Sequence, residues 1–171
     1  RNTELVSKRK HYHPPAILTP EVWGVVLPFR WLEIEGWKGS LKPEQIVRQS
    51  AYASTWNDDA ASFESSDGML NRIWDLCSYS IKATTFAGLY VDGDRERIPY
   101  EADAYLNQLS HYYVDSEFSL ARTSHEYLMR NPTWPTEWKQ HSVMMAWADW
   151  RYTGDVDSLD AHYFQLKQQK T

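Results

Sequence analysis

Hydrophobic and polar positions follow two different periods along this chain, and the change falls near Asp58. From Val22 to Trp37 the segment VWGVVLPFRWLEIEGW is rich in β-branched and aromatic residues. Between Phe29 and Ile34 apolar and polar positions alternate, as along a half-buried strand. Gly36, Gly39 and Pro43 interrupt this stretch, and Ile46 to Ser54 offers a second strand with Ile46, Arg48 and Ser50 on one face. These read as the last strands of an antiparallel sheet domain. The opening RNTELVSKRKHYHPP is basic and proline-broken and earns no element.

Beyond Asp58 the pattern becomes helical. Ser65 or Ser66 is placed to cap a helix with Met69, Leu70, Ile73, Trp74, Cys77 and Ile81 on its apolar face. After a loop, Pro99 suits the first position of a second helix, which Leu106, Leu109 and Tyr113 continue. Asp115 or Ser116 opens a third through Leu120, Ala121, Leu128 and Met129, stopped before Pro132. A fourth starts near Pro135, carries Val143, Met144, Trp147 and Trp150, and ends at Gly154. Asp157 or Ser158 starts a fifth with Leu159, Phe164 and Leu166. Short connections make successive helices antiparallel. The expected class is therefore mostly α, with strands over residues 1–57 and four or five antiparallel helices over 58–171. Several of these helices are apolar around more than half their circumference and need neighbours on both sides, so the complete protein is expected to be longer.

Composition removes several classes of function. The chain has 171 residues and a net charge of −5, which argues against binding driven by nucleic-acid phosphates. No apolar run approaches the roughly 18 residues of a membrane span. Cys77 is the only cysteine, which excludes an intrachain disulfide and a cysteine-based zinc site. No signal-peptide pattern follows Arg1, and the compartment is left open. His11 and His13, like His111, His125 and His141, lack a recognisable ligand spacing, so neither metal nor cofactor is expected. There is no nucleophile elbow and no glycine-rich phosphate loop.

The densest chemical signal is DGDRERIPYEAD, from Asp92 to Asp103. In an extended chain Asp92, Asp94 and Glu96 would face one way and Arg95 and Arg97 the other. That arrangement keeps acidic neighbours close and cations away, which favours a carboxyl group that stays protonated. The plainer alternative is a solvated set of ion pairs and helix-dipole contacts at a helix start. A second signal is aromatic. Trp134 and Trp138 stand in a loop and a first turn, where flat rings beside carboxylates suit a sugar's C–H faces. Trp147, Trp150 and Val143 read rather as helix core, and so does Cys77.

The blocks FRWLEIEGW, FESSDGMLNRIWDLCSYSIKATTF, YVDGDRERIPYEADAYLNQ and TEWKQHSVMMAWADWRYTGD, in this order, resemble glycoside hydrolase family 78, the α-L-rhamnosidases. The resemblance runs from about Phe29 to Asp155. It implies an (α/α)6 barrel flanked by β-sandwich domains, with residues 1–57 closing a sandwich and 58–171 forming the first part of the barrel. It also implies inverting hydrolysis of terminal α-L-rhamnose from a rhamnose-containing glycoside or polysaccharide. On the matching positions Glu96 is the general acid, Asp92 holds sugar hydroxyls, Asp103 is the substrate-binding acid at the loop's far end, and Trp138 is an aromatic of the pocket wall; Tyr100 and Trp134 are added as substrate-binding candidates.

The acidic loop is one residue shorter than the common pattern, so Asp94 rivals Glu96 as the acid. Tyr100 and Ala102 replace a usual tryptophan and glycine. The family's general base is a later glutamate outside this chain, so the chain alone is expected to be inactive and to need the remainder of its polypeptide. Two alternatives stay open: a non-catalytic carbohydrate-binding module, and a different (α/α)6-barrel glycosidase.

Overall fold

The computed structural model describes residues 16–24, 26–91 and 96–169. Within these, regular structure is dominated by α1 (Gly68–Thr84), α2 (Glu101–Val114), α3 (Ser119–Arg130), α4 (His141–Thr153) and α5 (Val156–Gln169). Short 3-10 turns lie at Glu21–Trp23, Pro43–Gln45 and Glu137–Gln140. No described helix is long and apolar enough to cross a membrane.

The helix starts differ from expectation by a few residues, and each difference has a visible donor or acceptor. Asp67, rather than Ser65 or Ser66, caps α1, its Oδ1 accepting from Met69 N at 2.8 Å. Ser65 is engaged elsewhere: its N–H donates to Asn71 Oδ1, and its carbonyl accepts from Asn71 Nδ2. Pro99 stops short of α2, which begins two residues later with Tyr100 at its cap. Glu117 sets the start of α3 by accepting from the backbone of Ser119 at 2.8 Å and of Leu120 at 3.2 Å. Asp115, expected there, closes α2 instead. Gly154, at φ +70°, ends α4 in the left-handed conformation that glycine tolerates best.

Side-chain pairing reveals the direction of the helices. Gln108 Nε2 donates to the Met145 carbonyl at 3.0 Å, and Tyr112 Oη donates to Asp149 Oδ1 at 2.7 Å. Both pairs are 37 positions apart and advance together, so α2 and α4 run parallel. On α3 and α5, His125 meets His162 while Gln165 Nε2 donates to the Met129 carbonyl, again advancing together. Alternate helices therefore point the same way, as in successive helical hairpins. The α2–α4 pair is central, with α1 beside α2, α3 against both, and α5 beside α4. Tyr90, Ala104, Tyr112, Leu120, Ala121, Leu128 and Met145 form the main core.

The strands expected within 22–37 and 46–54 are not formed among the described residues. A strand needs a ladder partner for its backbone groups, and a lone pair of strands is marginal. Here Phe29, Trp31 and Leu32 are all exposed, Trp31 by 86%, so neither face of the segment is covered.

Several apolar faces also point outward. On α1 only Ile81 is buried, while Met69, Leu70, Ile73 and Cys77 are exposed, so Cys77 is not core. On α2 Leu106 and Tyr113 are exposed. The buried face is instead Glu101, Ala104, Gln108, His111 and Tyr112. Trp147 and Met144 are exposed on α4, and Phe164 on α5.

Residues 51–57 are tied to the helices by specific polar contacts. Ala53 N donates to Thr85 Oγ1 at 2.8 Å, and Asn57 N to Asp115 Oδ2 at 3.2 Å. Trp56 stacks on His111 with ring centroids 5.2 Å apart. His111 also lies between Tyr90 Oη, 2.7 Å from Nδ1, and Asp115 Oδ2, 3.5 Å from Nε2. Burial raises the Tyr90 phenol well above its usual range, so it keeps its proton while hydrogen-bonded to Nδ1.

Two outcomes follow from this packing. Leu128 is 0% exposed, so Leu128→Ala should lower unfolding stability by about 2–5 kcal/mol. Leu106→Ala, at a position 61% exposed, should change it by no more than about 0.5 kcal/mol, both read by urea denaturation. Burial, opposed by Asp115, holds the His111 imidazole below its ordinary 6.5. The unfolded chain therefore binds this proton at a higher pH than the folded one. Stability should fall as the pH drops below about 6.5, with a limiting slope near 1.4 kcal/mol per pH unit for one proton. His111→Gln should flatten that component in urea midpoints measured across the range.

Candidate active site

The segment leading into α2 makes a sharp turn at Arg97, whose φ is +54°, a left-handed value uncommon outside glycine. Its position is held from both backbone and side chain. The Arg97 carbonyl accepts from Ile17 N at 2.8 Å, and its guanidinium donates to the Val26 carbonyl and lies over the Phe86 ring. The extended alternation expected for 92–97 thus does not hold at Arg97. The guanidinium is sent into the interior while Glu96 keeps partial exposure. Asp92 and Asp94 lie outside the described residues.

Three of the expected site residues come together. Tyr100 Oη donates to Glu96 Oε2 at 2.5 Å, and the Tyr100 ring meets Trp138 edge-on, with centroids 5.5 Å apart and planes at 88°. Trp138 sits on the 3-10 turn after Pro135. Because α2 and α4 run parallel, the segments entering them lie at the same end of the pair. That is why Glu96 and Tyr100, before one helix, reach Trp138, before the other. Trp134, on the same connection, is 63% exposed, and Asp103 is exposed on the first turn of α2.

Glu101 is the functional candidate that the sequence reading passed over. It is 0% exposed, and both carboxylate oxygens accept from Thr133: Oε1 from the backbone N–H at 3.0 Å, Oε2 from the hydroxyl. The available signal was its helical spacing with Ala104, Gln108 and His111, which places it on the inward face of α2.

A separate cleft of about 370 Å³ is lined by residues between Asp58 and Lys82, including Phe63, Trp74 and Tyr79. Neither Glu96, Tyr100 nor Trp138 lines it. Its Asp58 carboxyl is held below the usual range by hydrogen bonds from Lys82 and Trp56. Among the described residues no group of three or more His, Cys, Asp or Glu side chains is arranged to hold a metal ion.

A partly exposed carboxyl group, oriented by a phenol and flanked by an indole, can deliver a proton to a ligand oxygen while the rings contact apolar C–H surface. The alternating parallel helices define a domain built of successive helical hairpins. A family model for the bacterial alpha-L-rhamnosidase six-hairpin glycosidase domain matches residues 58–169, well over half of the chain, and the chain belongs to that family. No curated protein and no solved structure gives a significant match.

Proposed function

We propose that this chain carries the acid side of the active site of an inverting α-L-rhamnosidase, with Glu96 as the general acid. The observation that carries the reading is the contact series Glu96–Tyr100–Trp138, found within a domain of this family. Glu96 protonates the glycosidic oxygen as the bond to the anomeric carbon breaks. Tyr100 orients the carboxyl group, and Trp138, with Trp134 at the rim, offers flat apolar surface to the sugar. Asp92 and Asp103 bind sugar hydroxyls, and Asp94 is the rival acid in the same loop.

Inversion requires a second carboxyl group roughly 6.5–9.5 Å from the first to activate water. No residue of this chain is assigned that role, so the 171 residues by themselves are expected to be inactive. In the same reading residues 1–57 are the closing strands and linker of a β-sandwich domain, taking strand form when partner strands are present. Residues 58–171 then form the first part of an (α/α)6 barrel.

The test is Glu96→Gln in the protein carrying the complete catalytic barrel, assayed on aryl glycosides of several sugars. Turnover of an α-L-rhamnoside with a poor leaving group should fall by about 10²–10⁴-fold, and much less with a good leaving group. Undiminished turnover of the poor substrate would remove Glu96 from the acid role. Preference for another sugar would reassign the substrate.

A further inference from the structure

We infer that Glu101 is a positioning residue for the acid, acting through Thr133 and Trp138; this rests on the reading of Glu96 given above. A buried carboxylate is costly unless hydrogen bonds replace its water, and here both oxygens are committed to one residue, Thr133, itself 1% exposed. The placement of the two partners gives the contact its meaning. Glu101 directly follows Tyr100, which holds the Glu96 carboxyl group. Thr133 opens the irregular connection that delivers Trp138, with the buried Pro135 between them. The clamp therefore joins the two segments whose aromatic rings meet at 5.5 Å.

Trp138 lies in the turn at Glu137–Gln140, where its N–H donates to the Pro135 carbonyl at 3.2 Å, but the connection before that turn has little regular structure and takes its support from side-chain contacts. Thr133 anchors its beginning to the first turn of α2, where the helix dipole also favours a carboxylate. With the anchor released, the indole shifts against Tyr100, the phenol loses its packing surface, and the Glu96 carboxyl group loses its alignment. A displacement near 1 Å suffices for a large effect on proton delivery.

A purely structural clamp and a positioning clamp differ in one measurable respect. General-acid assistance matters most for poor leaving groups, so a misaligned acid steepens the dependence of kcat/KM on leaving-group basicity. A loss of folded protein lowers all substrates alike.

The experiment uses the complete catalytic barrel and a series of aryl α-L-rhamnosides from dinitrophenyl to unsubstituted phenyl. Thr133→Val keeps the shape but removes the hydroxyl donor. It should lower kcat/KM by about 10-fold on the phenyl substrate and by less than about 2-fold on the dinitrophenyl one. Thr133→Ser, which retains the hydroxyl, should restore the wild-type slope. Glu101→Ala should steepen the slope as Thr133→Val does, and the double variant should add nothing further.

An equal loss on every substrate, or no loss, overturns the inference. Glu96→Gln is measured in the same series. A steep slope there with a flat one for Thr133→Val overturns the positioning role alone, whereas a flat slope for Glu96→Gln overturns the acid assignment and this inference with it.

Discussion

The Asp149 carboxylate is where the parallel α2–α4 pair is locked. It accepts from Tyr112 Oη on α2 at 2.7 Å and from Arg122 Nε on α3 at 2.9 and 3.1 Å. Arg122 extends the network to Asp155 and to the Thr153 hydroxyl at the end of α4. One turn earlier Gln108 reaches the Met145 carbonyl. Sliding α2 by a turn would leave Gln108 and Tyr112 buried without these partners, at a cost of about 1–3 kcal/mol for each unsatisfied group. Apolar contacts carry no comparable directional demand. The register is consequently set by polar groups, with the apolar core of Ala104, Leu120, Ala121, Leu128 and Met145 packed beside them.

That register reaches the active-site end. Carrying the 37-residue offset of the Gln108 and Tyr112 pairs back to the helix starts sets Glu101 against Trp138, close to the observed meeting of Tyr100 with Trp138. Tyr105 approaches His141 in nearly the same register. The site is thus the continuation of a helix pairing specified about two turns away. Its geometry belongs to the rigid layer as much as to the loops that bear its side chains.

The positions of the helices were legible in the sequence, and their faces were less so. Pro132, Gly154 and the acidic residues around Glu117 punctuate the chain strongly enough to bound α3 and α4. Hydrophobic periodicity then misassigned α2, because its inward face carries Glu101, Gln108 and His111 while Leu106 and Tyr113 face out. A period search that scores only apolar residues misses a buried face made of hydrogen-bonded polar groups. On α1 the apolar stripe is real but is left uncovered by these five helices, fewer than a six-hairpin domain contains. The same limit applies to the segment around Phe29–Ile34: alternation shows that two faces differ, but not that a partner strand is present. At the site, the meeting of Glu96, Tyr100 and Trp138 matches residues singled out by motif. The Glu101–Thr133 contact has no motif, only a spacing that becomes informative once the inward face is known.

The turn at Arg97 links these two levels of organisation. An L-residue at φ +54° costs on the order of 1 kcal/mol, so the conformation needs support from its surroundings. Support comes from the segment before the helices: Ile17 donates to the Arg97 carbonyl, Val26 accepts from its guanidinium, and Ile17 and Val26 pack with Phe86, Leu89 and Val91. Glu96 therefore stands between two anchors. Arg97 ties its backbone to Ile17 and Val26 on one side, and Tyr100 ties its carboxyl group to the α2–α4 layer on the other. A residue so placed can be displaced from either direction. The non-helical stretch around Ile17 and Val26 is in this way part of what aims the carboxyl group.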